Sequence, residues 1–258
     1  MYTVDNFING KSDSTSSKSS KIINPSYGKD IGEVLYASKE SVNTAINAAS
    51  EAFKTWSKTG MSYRAELILK FRQGVIDKSS EIVDICIKEA GKTKPDAEAE
   101  LDRAIQALTH ASGIQHFYPA HISRNVAGNI DIADMRYPIG VVAGVGPFNF
   151  PILIPILHSS MALVTGNTHI AKPSEKVPSI SRLYADIYKD VGLPDGCYNV
   201  INGGKDIVEY IVSHQKVDGL AFIGSTNAAR SLKSLGVKNN TKVPVSYTHL
   251  RAHETSGY

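Results

Sequence analysis

Ile139-Gly140-Val141-Val142-Ala143-Gly144-Val145 runs without a charge into Gly146-Pro147-Phe148-Asn149-Phe150-Pro151, and the reading of this passage decides the fold. A short valine-rich run closed by glycine and proline predicts a strand buried on both faces, ending in a turn. Three similar runs follow, at Thr168 to Ala171, Tyr198 to Ile201 and Gly219 to Ile223. The segments between them, 152 to 163, 178 to 190 and 206 to 213, are amphipathic and predict helices. Gly192-Leu193-Pro194-Asp195-Gly196 reads as a helix-to-strand turn, with Gly192 ending the helix. Buried strands alternating with helices predict an α/β fold: a Rossmann-like parallel sheet with helices on both faces.

Toward the N-terminus the period changes. Val42, Ala45, Ile46, Ala49, Phe53 and Trp56 recur at helical spacing, so a helix is expected from Ser38. Two further helical segments span 61 to 90, broken near Gly74 or Ser79, and 95 to 116, where Pro95 suits a first turn. Together they predict a helical N-terminal layer. Ahead of it, Phe7-Ile8-Asn9-Gly10 and Ile22-Ile23-Asn24-Pro25 flank a Ser/Lys-rich stretch, which reads as two short strands joined by a loop. The alternation from Asn129 to Arg136 predicts a half-exposed strand in a projecting β-hairpin.

Composition narrows the function classes. The 258 residues are 42% hydrophobic and 21% charged, ordinary values for a globular protein. The net charge of +3 comes from mixed signs, without the basic blocks or interleaved aromatics of a nucleic-acid binder. The richest apolar stretch, 151 to 164, is interrupted by His158, Ser159 and Ser160, so no membrane span is expected. The first residues show neither a basic nor an apolar signal region, which predicts a cytoplasmic protein. Cys86 and Cys197 form no CxxC pair, and His110, His116 and His121 lack zinc-ligand spacing, so neither a disulfide framework nor a metal site is expected.

Ligands of a doubly wound sheet sit at the carboxyl ends of its strands. Gly146 there allows close approach, Phe148 offers a flat apolar wall and Asn149 an amide donor. Lys172-Pro173-Ser174-Glu175 ends the second run, and Gly224-Ser225-Thr226 opens a helix whose N–H groups could hold a phosphate. Each also has a plainer reading: a core phenylalanine, a turn asparagine, a helix cap, a solvated ion pair. Gly144 and Gly146 begin a G-x-G, but Asn149 stands where the third glycine of the dinucleotide fingerprint belongs.

The order and spacing of these three sites, with the helical N-terminal region, resemble the aldehyde dehydrogenase superfamily, which binds its dinucleotide without that fingerprint. The resemblance extends from about Phe7 to Val243. Pro147-Phe148-Asn149-Phe150-Pro151, Gly166-Asn167-Thr168 and the segment from Lys172 to Pro178 look like the CoA-acylating methylmalonate-semialdehyde (malonate-semialdehyde) dehydrogenases. It implies that Lys172 and Glu175 hold an adenosine ribose with Lys176 beside them, that Gly146 and Phe148 line the cofactor, and that Ser225 caps the helix beneath its pyrophosphate. A carboxylate at Glu175 would accept from both ribose hydroxyls and repel a 2′-phosphate, favouring NAD over NADP. Asn149 would donate to the oxyanion, a contact whose loss elsewhere costs roughly a hundred- to a thousand-fold in rate.

The family mechanism needs a cysteine thiolate to attack a small aldehyde, hydride transfer to NAD, and release of the thioester by CoA, or by water in the non-acylating relatives. Cys86 and Cys197 sit in apolar segments and are expected to be inert. The resemblance therefore implies an N-terminal fragment: 1–118 the first part of the NAD-binding domain, 119–137 the projecting oligomerisation hairpin, 138–243 an incomplete NAD-binding core, and 244–258 a non-native tail. Residues from Val245 to Thr255 are similar to one reading frame of a sequencing-library adapter, so His249 and His253, one helical turn apart, are not expected to bind metal. The intact enzyme is expected to be a homo-oligomer and this chain inactive. The alternatives are a non-acylating aldehyde dehydrogenase for another small aldehyde, or a naturally short, non-catalytic dinucleotide-binding module.

Overall fold

Five strands, rather than two, occupy the N-terminal segment: β1 (Tyr2–Val4), β2 (Asn6–Ile8), β3 (Lys11–Asp13), β4 (Ser19–Asn24) and β5 (Lys29–Leu35). The computed structural model describes residues 1–16, 18–117 and 121–244. The extra strands follow from two turns. Asn9 and Gly10 both have positive φ (49° and 76°), the backbone of the two-residue turn that suits the twist of a hairpin, and they fold β3 back on β2. Asn24 turns β4 into β5: its Oδ1 accepts from Ser26 N–H at 2.9 Å and its carbonyl from Gly28 N–H at 2.8 Å.

Four helices follow: α1 (Lys39–Trp56), α2 (Met61–Asp77), α3 (Ser79–Ala90) and α4 (Lys94–Ser112), then the short α5 (Ile114–Phe117). Ser38 caps α1 by accepting from Ser41 N–H, and Thr93 caps α4 through Asp96 N–H. The break expected near Gly74 or Ser79 falls at Lys78, and Gly91 ends α3 at φ 68°. Strands β6 (His121–Ser123) and β7 (Ile132–Asp134) pair antiparallel as the hairpin, and both faces are exposed rather than one.

Then come β8 (Val141–Val145), α6 (Leu153–Val164), β9 (Thr168–Lys172), α7 (Ser179–Asp190), β10 (Tyr198–Val200), α8 (Lys205–Ser213), β11 (Gly219–Phe222) and α9 (Thr226–Lys238). The main sheet runs β11-β8-β9-β10-β2-β3, its first four strands parallel and its last two antiparallel. Asn202 and Asn6 fasten the antiparallel edge, with Asn6 Oδ1 accepting from Asn202 N–H at 2.8 Å. At the start of β8, Asn167 Oδ1 accepts from Ile139 and Gly140 N–H, and Asp218 Oδ2 from Val141 N–H, so the strand enters the sheet with these three donors bonded.

Two cores cover the sheet. One joins Phe71, Ile82, Leu108, Ile156 and Tyr184 of α2, α3, α4, α6 and α7; the other joins Val42, Ile46, Val141, Ile170 and Ile211 of α1, β8, β9 and α8. The single N-terminal helical layer expected from the sequence is thus divided. Helix α1 lies mainly on the face of α8, and only its Trp56 end reaches the other core. Among the described residues no helix is long and apolar enough to cross a membrane.

Candidate functional site: the carboxyl ends of the central strands

The chain leaves β8 toward β9 on one side and later returns to β11 on the other, so the order reverses between β8 and β11. A crevice at the carboxyl ends of a parallel sheet forms at such a point. Gly146 N–H bonds to Lys172 O at 3.3 Å and Ile223 N–H to Val145 O at 3.2 Å, which sets the turns after β8, β9 and β11 side by side.

The two glycines of the first turn do different work. A Cβ on Gly144 would meet His169 Cε1 at 2.6 Å and His158 Cβ at 2.9 Å, so packing beneath the sheet demands glycine there. A Cβ on Gly146 would make only an ordinary contact with Ile154 Cγ2 at 3.5 Å. Nothing among the described residues requires a bare backbone at Gly146, and its missing side chain leaves space in front of the strand end.

Phe148 is 53% exposed, with the Lys176 ammonium 4.7 Å from its ring centroid. A core role for Phe148 is excluded. Such a cation over an aromatic face is an attraction of about 0.5–1 kcal/mol at an exposed site. Asn149 is exposed, and its amide makes no hydrogen bond among the described residues.

Lys172 closes β9 as a buried residue, and its ammonium lies 3.5 Å from the Glu175 carboxylate. It is not half of a solvated surface pair. Burial lowers the Lys172 pKa, and Glu175, then Asp206, oppose that shift. Ser225 caps α9, its hydroxyl accepting from Ala228 N–H at 3.4 Å, and stands two residues beyond the bonded end of β11. The strand ends therefore bring together Gly146, Phe148, Lys172, Glu175 and Lys176, while Ser225 stands at the start of α9 after β11.

Both thiols are fully buried and far from activation. Burial pushes Cys86 in α3 up to about 12, and Cys197, ahead of β10, likewise up to about 12. Among the described residues no group of three His, Cys, Asp or Glu side chains could hold a metal ion.

Sequence reasoning passed over two buried groups beside this site. Glu100 of α4 accepts from the N–H groups of Ile152 and Leu153, directly after the Pro147–Pro151 turn. Its spacing from that turn, 52 residues, hides the relation in the sequence. His169 of β9 is completely buried with neither ring nitrogen bonded, and the run from Thr168 to Ala171 gave no sign of it.

The profile of the aldehyde dehydrogenase family matches residues 12–246 of the chain. The malonate-semialdehyde dehydrogenase of Bacillus pumilus is 35% identical over 94% of this chain and 50% of its own length, and that of Lacticaseibacillus casei 38% identical over 87% and 46%. Among solved structures, a methylmalonate-semialdehyde dehydrogenase from Oceanimonas doudoroffii superposes with a TM-score of 0.91 at 35% identity, covering 94% of this chain and 50% of that one. A structure described as a putative methylmalonate-semialdehyde dehydrogenase from Sinorhizobium meliloti, complexed with NAD, has a TM-score of 0.91 at 34% identity and the same coverage. The chain spans about half the length of the curated relatives it matches.

Proposed function

The chain belongs to the aldehyde dehydrogenase family, and on that premise we propose that it forms the NAD-binding half of an enzyme oxidising a small semialdehyde of the malonate or methylmalonate type to its acyl-CoA. The observation that carries this reading is the grouping at the strand ends: a buried lysine facing a half-exposed carboxylate, beside an exposed aromatic ring and a glycine at which a Cβ would make only ordinary contact.

These residues fit a dinucleotide. Glu175 offers a carboxylate oxygen for ribose hydroxyls, and its charge repels a 2′-phosphate, so NAD is favoured over NADP. Lys176 flanks the adenosine side, Gly146 and Phe148 line the cofactor, and Ser225 holds the first turn of α9 beneath the pyrophosphate. Hydride acceptance is the chemistry NAD supplies when bound.

Asn149, whose amide is unengaged among the described residues, is the donor for the oxyanion that forms when the aldehyde carbon is attacked. Neither Cys86 nor Cys197 is the nucleophile, since each is buried with its pKa pushed up to about 12. The chain by itself is therefore a cofactor binder without dehydrogenase activity. The β6–β7 hairpin, with Ile122, Ile130, Ile132 and Met135 more than half exposed, is the surface through which copies of the intact enzyme associate. Two unpaired thiols suit a reducing, cytoplasmic setting.

Isothermal titration of the folded chain tests the reading. Binding of NAD with weaker binding of NADP supports it; no heat of binding for NAD with a cooperatively folded sample rejects it. CoA-dependent turnover of malonate semialdehyde by the intact enzyme separates the acylating reading from a hydrolytic one.

A further inference from the structure

Helix α6 begins directly after the turn that carries Asn149, and it supplies no cap of its own: Ile152 precedes it in helical backbone, with no side-chain bond. The cap comes from another helix. Glu100 of α4, 3% exposed, accepts from Ile152 N–H at 2.8 Å and Leu153 N–H at 2.9 Å through one oxygen, and from Lys92 Nζ at 2.7 Å through the other. Lys92 Nζ also lies 4.5 Å from the centroid of the Phe150 ring, one residue from Asn149. A carboxylate at the positive end of a helix is electrostatically favourable and satisfies donors that helix geometry leaves open.

The opposite end of α6 is held in the complementary way. Buried Arg64 of α2 donates Nε–H to Val164 O at 2.8 Å, and Trp56 donates its indole N–H to Leu163 O at 3.1 Å. The helix contains no charged residue, so its axial position is set from outside, an anion at its first turn and a cation at its last. A slip of one residue along the axis would carry the preceding turn by about 1.5 Å, enough to take a donor out of hydrogen-bond range. The same bonds leave the first amides of α6 with no free donor for an anion: Ile152 and Leu153 serve Glu100, and Ile154 N–H serves Phe150 O at 3.2 Å. An oxyanion at this turn therefore finds no donor among the amides of Ile152, Leu153 and Ile154.

We propose that Glu100 and Lys92 are a positioning pair that fixes the Pro147–Pro151 turn against α4 and thereby aims the Asn149 amide. The inference rests on the oxyanion role proposed for Asn149. The pair touches neither cofactor nor substrate; it acts through the turn.

The test uses the whole chain, ¹⁵N-labelled, comparing Glu100→Ala, Glu100→Gln and Lys92→Met with the parent sequence. In Glu100→Ala, exchange of the Ile152 and Leu153 amides is expected to accelerate about tenfold or more. The Asn149 side-chain amide peaks shift or broaden, while amides of β10 and α8 stay protected. Glu100→Gln keeps an acceptor oxygen and restores most of the protection. Lys92→Met moves the Phe150 and Asn149 signals while leaving the two backbone amides largely protected, and it serves alone if Glu100→Ala does not fold. Unchanged Asn149 signals in folded Glu100→Ala, or in Lys92→Met, overturn the proposal. NAD titrated in parallel separates the two readings: a parent chain that binds no NAD removes the cofactor reading, whereas the Asn149 signals alone decide the positioning role.

Discussion

Lys172 and Glu175 stand 3.5 Å apart with unequal access to water, the lysine side chain 7% exposed and the carboxylate 40% exposed. The lysine is therefore packed into the fold on one side and paired with the carboxylate on the other. Its desolvation is offset by the carboxylate, and the carboxylate keeps one side open to a ligand. Glu175→Gln removes the countercharge and an acceptor while keeping the shape. We expect NAD affinity to fall about tenfold, the scale of one charge-assisted hydrogen bond, and the preference for NAD over NADP to shrink. Titration calorimetry with both dinucleotides measures this; an unchanged preference would remove Glu175 from the ribose site.

Acid should weaken the fold through the histidines beneath Gly144. Burial lowers His158 to about 4, and burial, then the nearby His158, lowers His169 to about 3, from 6.5. Both are neutral in the folded protein near pH 7, and the unfolded chain takes up the extra protons as pH falls below 6.5. The histidine contribution to stability is therefore constant above that pH and declines below it, until each folded pKa is passed, with a slope approaching about 1.4 kcal/mol per pH unit for each histidine. Urea midpoints at pH 5 and pH 7 test the point. The midpoint falls at pH 5, and His169→Leu, which also removes two unbonded ring nitrogens, recovers part of the loss. An identical pH dependence in the variant contradicts the assignment.

The thiols give a third expectation. With Cys86 and Cys197 both at 0% exposure and both pushed up to about 12, a disulfide reagent at pH 8 should release almost no thiolate from the native chain and both equivalents in denaturant. Rapid native labelling of either cysteine would reopen the question of a nucleophile within this stretch.

Core packing is tested at Phe71. Its ring stacks on Tyr188 at 3.6 Å and meets Tyr184 edge-on at 5.7 Å, linking α2 to α7. Phe71→Ala is expected to cost about 3–5 kcal/mol in urea unfolding; a loss below about 1 kcal/mol would mean that the site collapses to fill the void.

What the sequence made legible follows period and punctuation. The run before Gly146 reads as β8 because a strand buried on both faces must be continuously apolar, and the positions from Val42 to Trp56 read as a helix because one face of it is buried. The face on which a helix packs is a different kind of fact. Helix α1 carries the same stripe whether it lies beside α2 or α8, so its place across the sheet was not readable from spacing. The Asn9-Gly10 turn is readable in the sequence, since that dipeptide favours the tight hairpin that pairs β3 with β2. In the site, Phe148, Lys172 and Glu175 stand at strand ends and announce themselves by position. Glu100 and Lys92 reach the same turn from a distant helix, and a contact of that kind exists only once the helices have packed.

The most direct measurement is a crystal structure of this chain grown with NAD. The adenosine ribose is expected against Lys172 and Glu175, with its hydroxyls within hydrogen-bond distance of the carboxylate and the pyrophosphate near the first turn of α9. A dinucleotide bound elsewhere, or a crevice that stays empty at saturating NAD, would contradict that placement.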